Sequence, residues 1–351
     1  MCMAKQIFLD DFNGPSLDTT KWSVVRGKLD TENGTQMRFS GKNVSVMRGS
    51  ILSLNGTVAT GADVANAPFL SGMVSTRNSD KGQVLFQAKG QFVVSIHSKT
   101  AKPPTSWTRI RLVGTKGDWP ACGGIDILEA KGWLSNNYWM NVHNPRAGEP
   151  TKSQQHQATI PENISRTTVY DHHKYLYTYS VAKLNDRIDF YLNNDLVHTV
   201  KYSEMDDPTP FTDPENGWII ELSHIIGGSF LDSGGTEEGH DQYVDATKYK
   251  NKYPFMMLVD YVRVISLDEP GTVDPMKDQV NIAGKYAHVT TQPEPPVIVP
   301  PTPDPPVVVP PTPEPEPVPE PEPEPVPEPA PKQRAKNDWV REEDCLVFIM
   351  L

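Results

Sequence analysis

From residue 5 to residue 268 the chain is a succession of short runs in which apolar and polar positions alternate, or apolar residues follow one another directly. Asn43-Val-Ser-Val-Met, Phe92-Val-Val-Ser-Ile, Arg187-Ile-Asp-Phe-Tyr-Leu and Met257-Leu-Val-Asp-Tyr-Val-Arg-Val are examples. Turn residues punctuate them at Asn33-Gly34, Asn55-Gly56, Asn193-Asn194-Asp195, Gly227-Gly228 and Gly234-Gly235. A period of two places successive side chains on opposite faces of a strand, and no long segment keeps the 3.6-residue period of an amphipathic helix. Many short strands with turns between them predict an all-β sandwich. Arg187 to Val200 reads as a hairpin closed by Asn-Asn-Asp. Trp22 and Trp218 read as core packing.

The pattern then fades. Residues 269–292 form a polar connector, and 293–331 are dominated by proline, with a decapeptide beginning at Pro295 repeated from Pro305 and Glu alternating with Pro after Pro313. Proline fixes φ and removes the amide donor, which predicts an extended polyproline II rod at about 3.1 Å per residue, on the order of 120 Å in all. A spacer is the reading preferred over an SH3-type ligand. Residues 332–351 change character again, ending in Cys345-Leu-Val-Phe-Ile-Met-Leu. This tail is either a docking peptide for a protein partner or a frayed end.

Composition narrows the function. The chain has 351 residues, a net charge of -11 and only 33 Lys and Arg against 44 Asp and Glu. That balance argues against nucleic acid, whose phosphates need clustered base, and imposes no such requirement on a neutral glycan. Cys2, Cys122 and Cys345 offer neither a disulfide framework nor metal-ligand spacing. The N-terminal residues lack the apolar stretch of a secretory signal, and no run approaches the roughly 20 apolar residues of a membrane span. Synthesis in a cytoplasm without a signal peptide is the expectation, with no transmembrane segment.

The chemistry is concentrated in Asp118-Trp-Pro-Ala-Cys-Gly-Gly-Ile-Asp-Ile-Leu-Glu-Ala130. On a strand, positions 124 and 126 share a face, and one extra residue in a β-bulge returns Glu129 to it. Carboxylates gathered in this way suit glycoside hydrolysis, whose retaining form needs two carboxyls about 5–5.5 Å apart.

The segment resembles the W-P-x-x-G-E-I-D-I-x-E signature of the family-16 glycoside hydrolases, the laminarinase and lichenase type β-glucanases. Further matches follow in order. Phe8-Leu-Asp-Asp-Phe-Asn-Gly with Leu17-Asp and Lys21-Trp22 resembles the family's opening segment. Ser71-Gly-Met-Val-Ser-Thr, Trp139-Met-Asn-Val-His143, His173-Lys-Tyr175, Ile188-Asp-Phe-Tyr-Leu, Ile226-Gly-Gly and Val259-Asp-Tyr-Val-Arg-Val264 resemble later ones. The resemblance implies a concanavalin A-like jelly-roll β-sandwich over residues 1–268, with a glycan cleft on one sheet. It implies Glu129 as acid/base, Asp126 as the residue between, and Trp119, Trp107, Arg111 and His143 in contact with polysaccharide. It implies no required cofactor, and a structural calcium at Asp260 with Asp11 as a weaker ligand. The adjacent His172 and His173 read as a turn and a satisfied strand edge rather than a metal site.

One departure bears directly on the chemistry. The nucleophile position is Gly124, which has no side chain to attack an anomeric carbon. Arg111 stands where relatives have an aromatic, Val93 and Ser95 replace a charged pair, and Thr178-Tyr179 replaces E-W; these losses are expected to converge on one face. The sequence therefore suggests a catalytically impaired glycan-binding module on a stalk, displayed on a virion or other particle. The alternatives are an active glycosidase of β-glucans or galactans with Glu129 as acid/base, and a purely structural particle component.

Overall fold

Alternation resolves into two sheets because every strand has one apolar face to hide from water. The computed structural model describes residues 4–28, 34–47, 50–65, 67–161, 170–232 and 245–268. Its principal strands in chain order are β1 (Lys5–Asp10), β2 (Ile51–Val58), β3 (Met73–Ser75), β4 (Phe92–Lys99), β5 (Ser106–Gly114), β6 (Gly124–Lys131), β7 (Trp139–Arg146), β8 (Glu149–Gln155), β9 (Tyr177–Lys183), β10 (Arg187–Leu192), β11 (Asp195–Lys201), β12 (Trp218–Ile226) and β13 (Phe255–Ser266). The first sheet runs β11-β10-β9-β4-β13-β2 and continues through shorter strands, with β1 beside β13. The second runs β8-β7-β6-β5-β12-β3 and ends on Ser23–Val24. This is the jelly-roll β-sandwich that the sequence predicts.

The core lies between the sheets. Phe92, Val94 and Ile96 of β4 and Val262 and Val264 of β13 meet Ile110 and Leu112 of β5, Ile125 of β6, Val142 of β7 and Leu222 of β12 in one buried cluster. Each such side chain contributes about 1.5–3 kcal/mol when taken out of water. Trp22 and Trp218 are core residues, each 1% exposed. Trp22 packs edge-on against Phe8, and its indole N–H donates to Asp10 at 2.8 Å.

The hairpin forms as expected, but its turn is the two residues Asn193-Asn194, with Asn193 at φ 55° and Asp195 already paired to Leu192. Asparagine tolerates that left-handed backbone better than most residues. Gly227 and Gly228 also turn the chain, at φ 71° and 109°.

Two expectations are corrected. Asn55-Gly56 is no breaker: both residues lie inside β2 and pair with Met256 and Phe255 of β13. Gly56 serves close packing there, since a Cβ on it would stand 2.7 Å from the His224 ring and 3.0 Å from Ile226 and Tyr253. Nor do the departures from the family converge on one face. Val93 and Ser95 lie on β4, Thr178 and Tyr179 on β9, and these adjacent strands belong to the first sheet, whereas Arg111 and Gly124 lie on the second. Gly234-Gly235, the connector, the Pro/Glu segment and the tail lie outside the described residues. No described helix is long and apolar enough to cross a membrane.

Candidate functional site

The outer face of the second sheet carries what its inner face cannot bury. On β5 the period of two sends Ile110 and Leu112 into the core and leaves Trp107, Arg109 and Arg111 outside. On β6 Arg109 pairs with Glu129, Ile110 with Leu128 and Arg111 with Asp126, so Ile127 is the extra residue of a β-bulge. Ile127 and Leu128 both turn inward, which returns Glu129 to the face of Asp126. On β7 Asn141 and His143 stand opposite Asp126 and Gly124. Together with Trp119, Ser153, Gln155 and Phe230, these residues line a cleft of about 680 Å³.

Its charges are arranged in distinct roles. The Asp126 carboxylate sits 2.7 Å from Nε2 of His143, whose Nδ1 is 3.1 Å from the Ser153 hydroxyl. Burial alone would raise the Asp126 pKa, but the His143 contact and the two arginines outweigh it and lower the group overall. Glu129 is pushed up to about 8, first by burial and then by the nearby Asp126 charge. Two adjacent carboxyls thus divide into one ionised and one protonated at neutral pH. The Trp107 indole N–H lies near enough to Glu129 to temper that rise, yet it closes no hydrogen bond of ordinary geometry. Arg111 donates from Nε to Glu221 at 2.7 Å. Burial works against its charge, but Glu221 and Asp126 raise its pKa overall.

Gly124 has a neighbour that the sequence does not reveal. A Cβ built on it would lie 2.5 and 2.8 Å from Cζ3 and Cη2 of the Trp119 indole, closer than real Cβ atoms approach. The indole thus occupies the space in front of the glycine, where a longer side chain would begin. It is 49% exposed, lies 5.1 Å from the His143 ring, and has the Arg111 guanidinium 5.8 Å from its centre. Its loop is held by Asn216, which donates to Cys122 O at 3.0 Å and accepts from the amides of Thr115 and Lys116, both at 3.0 Å.

The structure brings Asp126, Glu129, Trp119, Trp107, Arg111 and His143 into one cleft. Trp107 differs from the others in exposure. It is 4% exposed, stacks on Phe230 and carries the Arg109 guanidinium 5.3 Å from its centre, so the ring is already covered, and its N–H is buried with it. Asp260 and Asp11 stand apart from the cleft. Asp260 is buried on β13 and held 2.9 Å from Nδ1 of His97, while Asp11 closes a local turn with Asn13. Among the described residues no three His, Cys, Asp or Glu side chains gather to hold a metal. His172 and His173 are buried, and burial lowers their pKa values to about 3 and 4. They face Tyr179 and Thr100 rather than one common ligand.

Arg109, Asn141, Gln155 and Phe230 are cleft residues that the sequence reading did not single out. For Arg109 the signal was present, since 107, 109 and 111 share a face at period two. Phe230 gave none, because it arrives from the turn after β12.

Sandwich topology, cleft and bulged carboxylate strand together make a jelly roll whose fold is similar to that of solved β-glucanases. The chain is 27% identical over 278 residues to glucan endo-1,3-beta-glucosidase A1 of Niallia circulans, a match spanning 74% of this chain and 37% of that protein. Among solved structures, the laminarinase catalytic domain of Thermotoga maritima superposes with a TM-score of 0.58 at 20% identity, covering 75% of this chain and 98% of that one. The endo-beta-1,3-glucanase of Pyrococcus furiosus gives 0.56 at 20%, covering 75% and 94%. A chain described with endo-acting O-glycanases of human gut microbiota that initiate mucin breakdown gives 0.59 at 21%, covering 78% and 96%. No protein-family model matches the chain.

Proposed function

We propose that this protein binds polysaccharide in the cleft without hydrolysing it by the double-displacement route. The observation that carries the reading is the Trp119 indole standing against Gly124, where an attacking carboxylate would have to project. Nucleophilic catalysis needs an atom that attacks, and an aromatic face offers none. It does offer a flat apolar surface of the kind that stacks on sugar rings, and Trp119 is the exposed aromatic of the cleft. The glucanase relatives support a glucan as ligand. Display on a virion or other particle rests on the sequence, chiefly the missing nucleophile at Gly124 and the stalk-like residues 293–331, and belongs to the same proposal.

The test pairs two measurements on the purified protein. Incubation with β-1,3-glucan, mixed-linkage glucan and galactan is expected to release no new reducing ends, while migration through gels containing those polymers is retarded. Trp119→Ala is expected to relieve the retardation. Absence of retardation on every polymer would overturn the reading.

One observation favours a residually active glycosidase as the second reading. Glu129 keeps its proton up to about pH 8, as a general acid requires. Reducing ends that appear with the native protein and vanish in Glu129→Gln would establish that route.

A further inference from the structure

Each anion in the cleft has a partner of its own. Glu221 is paired with Arg111, and Asp126 is turned to His143. Glu129, opposite Arg109 in the strand register, is held largely protonated by burial. Arg109 is left over. It is 8% exposed, its Nε–H finds no acceptor, and it makes no ion pair among the described residues. Burial and the neighbouring Arg111 lower its pKa to about 10 against the opposing pull of Asp126, Glu129 and Glu221, none of which pairs with it directly, and this leaves it charged at neutral pH. A buried guanidinium without a close counter-ion is costly, and so is a buried donor without an acceptor.

The groups beside it have the same shortage. Trp107 is 4% exposed, its buried indole N–H lies near Glu129 without closing a hydrogen bond of ordinary geometry, and the Arg109 guanidinium lies over that ring. A protonated Glu129 adds an O–H donor on the facing strand. Two unpartnered donors, one of them cationic, therefore lie beside a protonated carboxyl on one wall of an open cleft. Neutral hydroxyls supply acceptors weakly, whereas an oxyanion supplies charge and several lone pairs at once.

Resting on the polysaccharide reading above, we infer that Arg109 and Trp107 form a receptor for an anionic substituent, a sulfate ester or a carboxylate, carried by the bound polysaccharide. The chain's net charge of -11 works against general attraction of polyanions, so a preference for them would have to arise locally.

The test uses the full chain and matched polymers: laminarin with its sulfated and carboxymethylated derivatives, and a sulfated galactan with its desulfated form. Affinities are compared at low ionic strength. At least one charged polymer is expected to bind ten or more times tighter than its neutral parent, and the sulfate and carboxylate arms identify the group. In Arg109→Met that ratio is expected to fall to about one. Trp107→Phe keeps the ring and removes only the N–H; it is expected to lower the ratio several-fold, and serves if the arginine variant does not fold. Equal binding of charged and neutral forms, or a preference that survives both substitutions, overturns the inference while leaving the polysaccharide reading standing. No binding of any polymer overturns both.

Discussion

Gly124→Ala is expected to weaken retention on the bound polysaccharide about tenfold, although it adds a single methyl group. The new Cβ would stand 2.5 Å from the Trp119 indole, so one of the two must move. The backbone at 124 is an ordinary strand paired with Val113 and His143, and it accepts an L side chain without strain. The indole is the part free to give way, being half exposed at the end of a loop. Once displaced, it loses its place beside His143 and Arg111 and no longer presents the same face to a sugar. An aromatic contact of that kind is worth about 0.5–1.5 kcal/mol beyond its buried area, and 1.4 kcal/mol is a factor of ten. Affinity electrophoresis of Gly124→Ala beside Trp119→Ala decides it. Retention kept by the glycine variant and lost by the tryptophan variant would show that the indole does not depend on the glycine. The same geometry governs rescue of hydrolysis. Gly124→Glu has to evict the indole before its carboxylate can face a sugar, so Gly124→Glu with Trp119→Ala is expected to release more reducing ends than Gly124→Glu alone.

The second large effect concerns stability and pH. Glu129 titrates near 8 in the folded chain, against an ordinary value of 4.5. The folded protein therefore keeps a proton that the unfolded chain releases between those values. The stability associated with that proton is fully present below about pH 4.5 and is lost as pH rises through 8. Glutamine has no proton to lose. Glu129→Gln should match the native protein near pH 4.5 and exceed it by an amount on the order of a few kcal/mol at pH 9. Urea midpoints of both proteins at pH 5, 7 and 9 check this. A gap that stays constant with pH would mean that the carboxyl ionises normally, and the acid role in the second reading would lose its support.

Both predictions depend on residues whose positions were legible to different degrees. The face shared by Asp126 and Glu129 could be read from the sequence, because the period of two and one bulge residue are local properties of a strand. The bulge falls at Ile127, where two consecutive apolar residues break the alternation. Asn55-Gly56 misled, since the pair has turn chemistry in isolation but lies inside β2, paired with Met256 and Phe255 of β13, where His224, Ile226 and Tyr253 leave no room for a Cβ on the glycine. Val93, Ser95, Thr178 and Tyr179 misled as well. Each sits on a strand, but a strand's own pattern does not say which sheet it joins.

What the sequence determined by itself was therefore the alternation of faces: an all-β sandwich, an apolar inner side, and a cleft strand carrying two carboxyls and a glycine. Only the tertiary structure decided what that glycine meets and which charges are left over. The Trp119 loop is held against Gly124 by Asn216, 94 residues beyond Cys122 in the chain. Arg109 is left without a direct ion pair while Glu221 on β12 takes Arg111 and His143 on β7 faces Asp126. The reason is physical: a side chain's face follows from the local backbone, whereas its neighbours follow from which distant strands pair beside it.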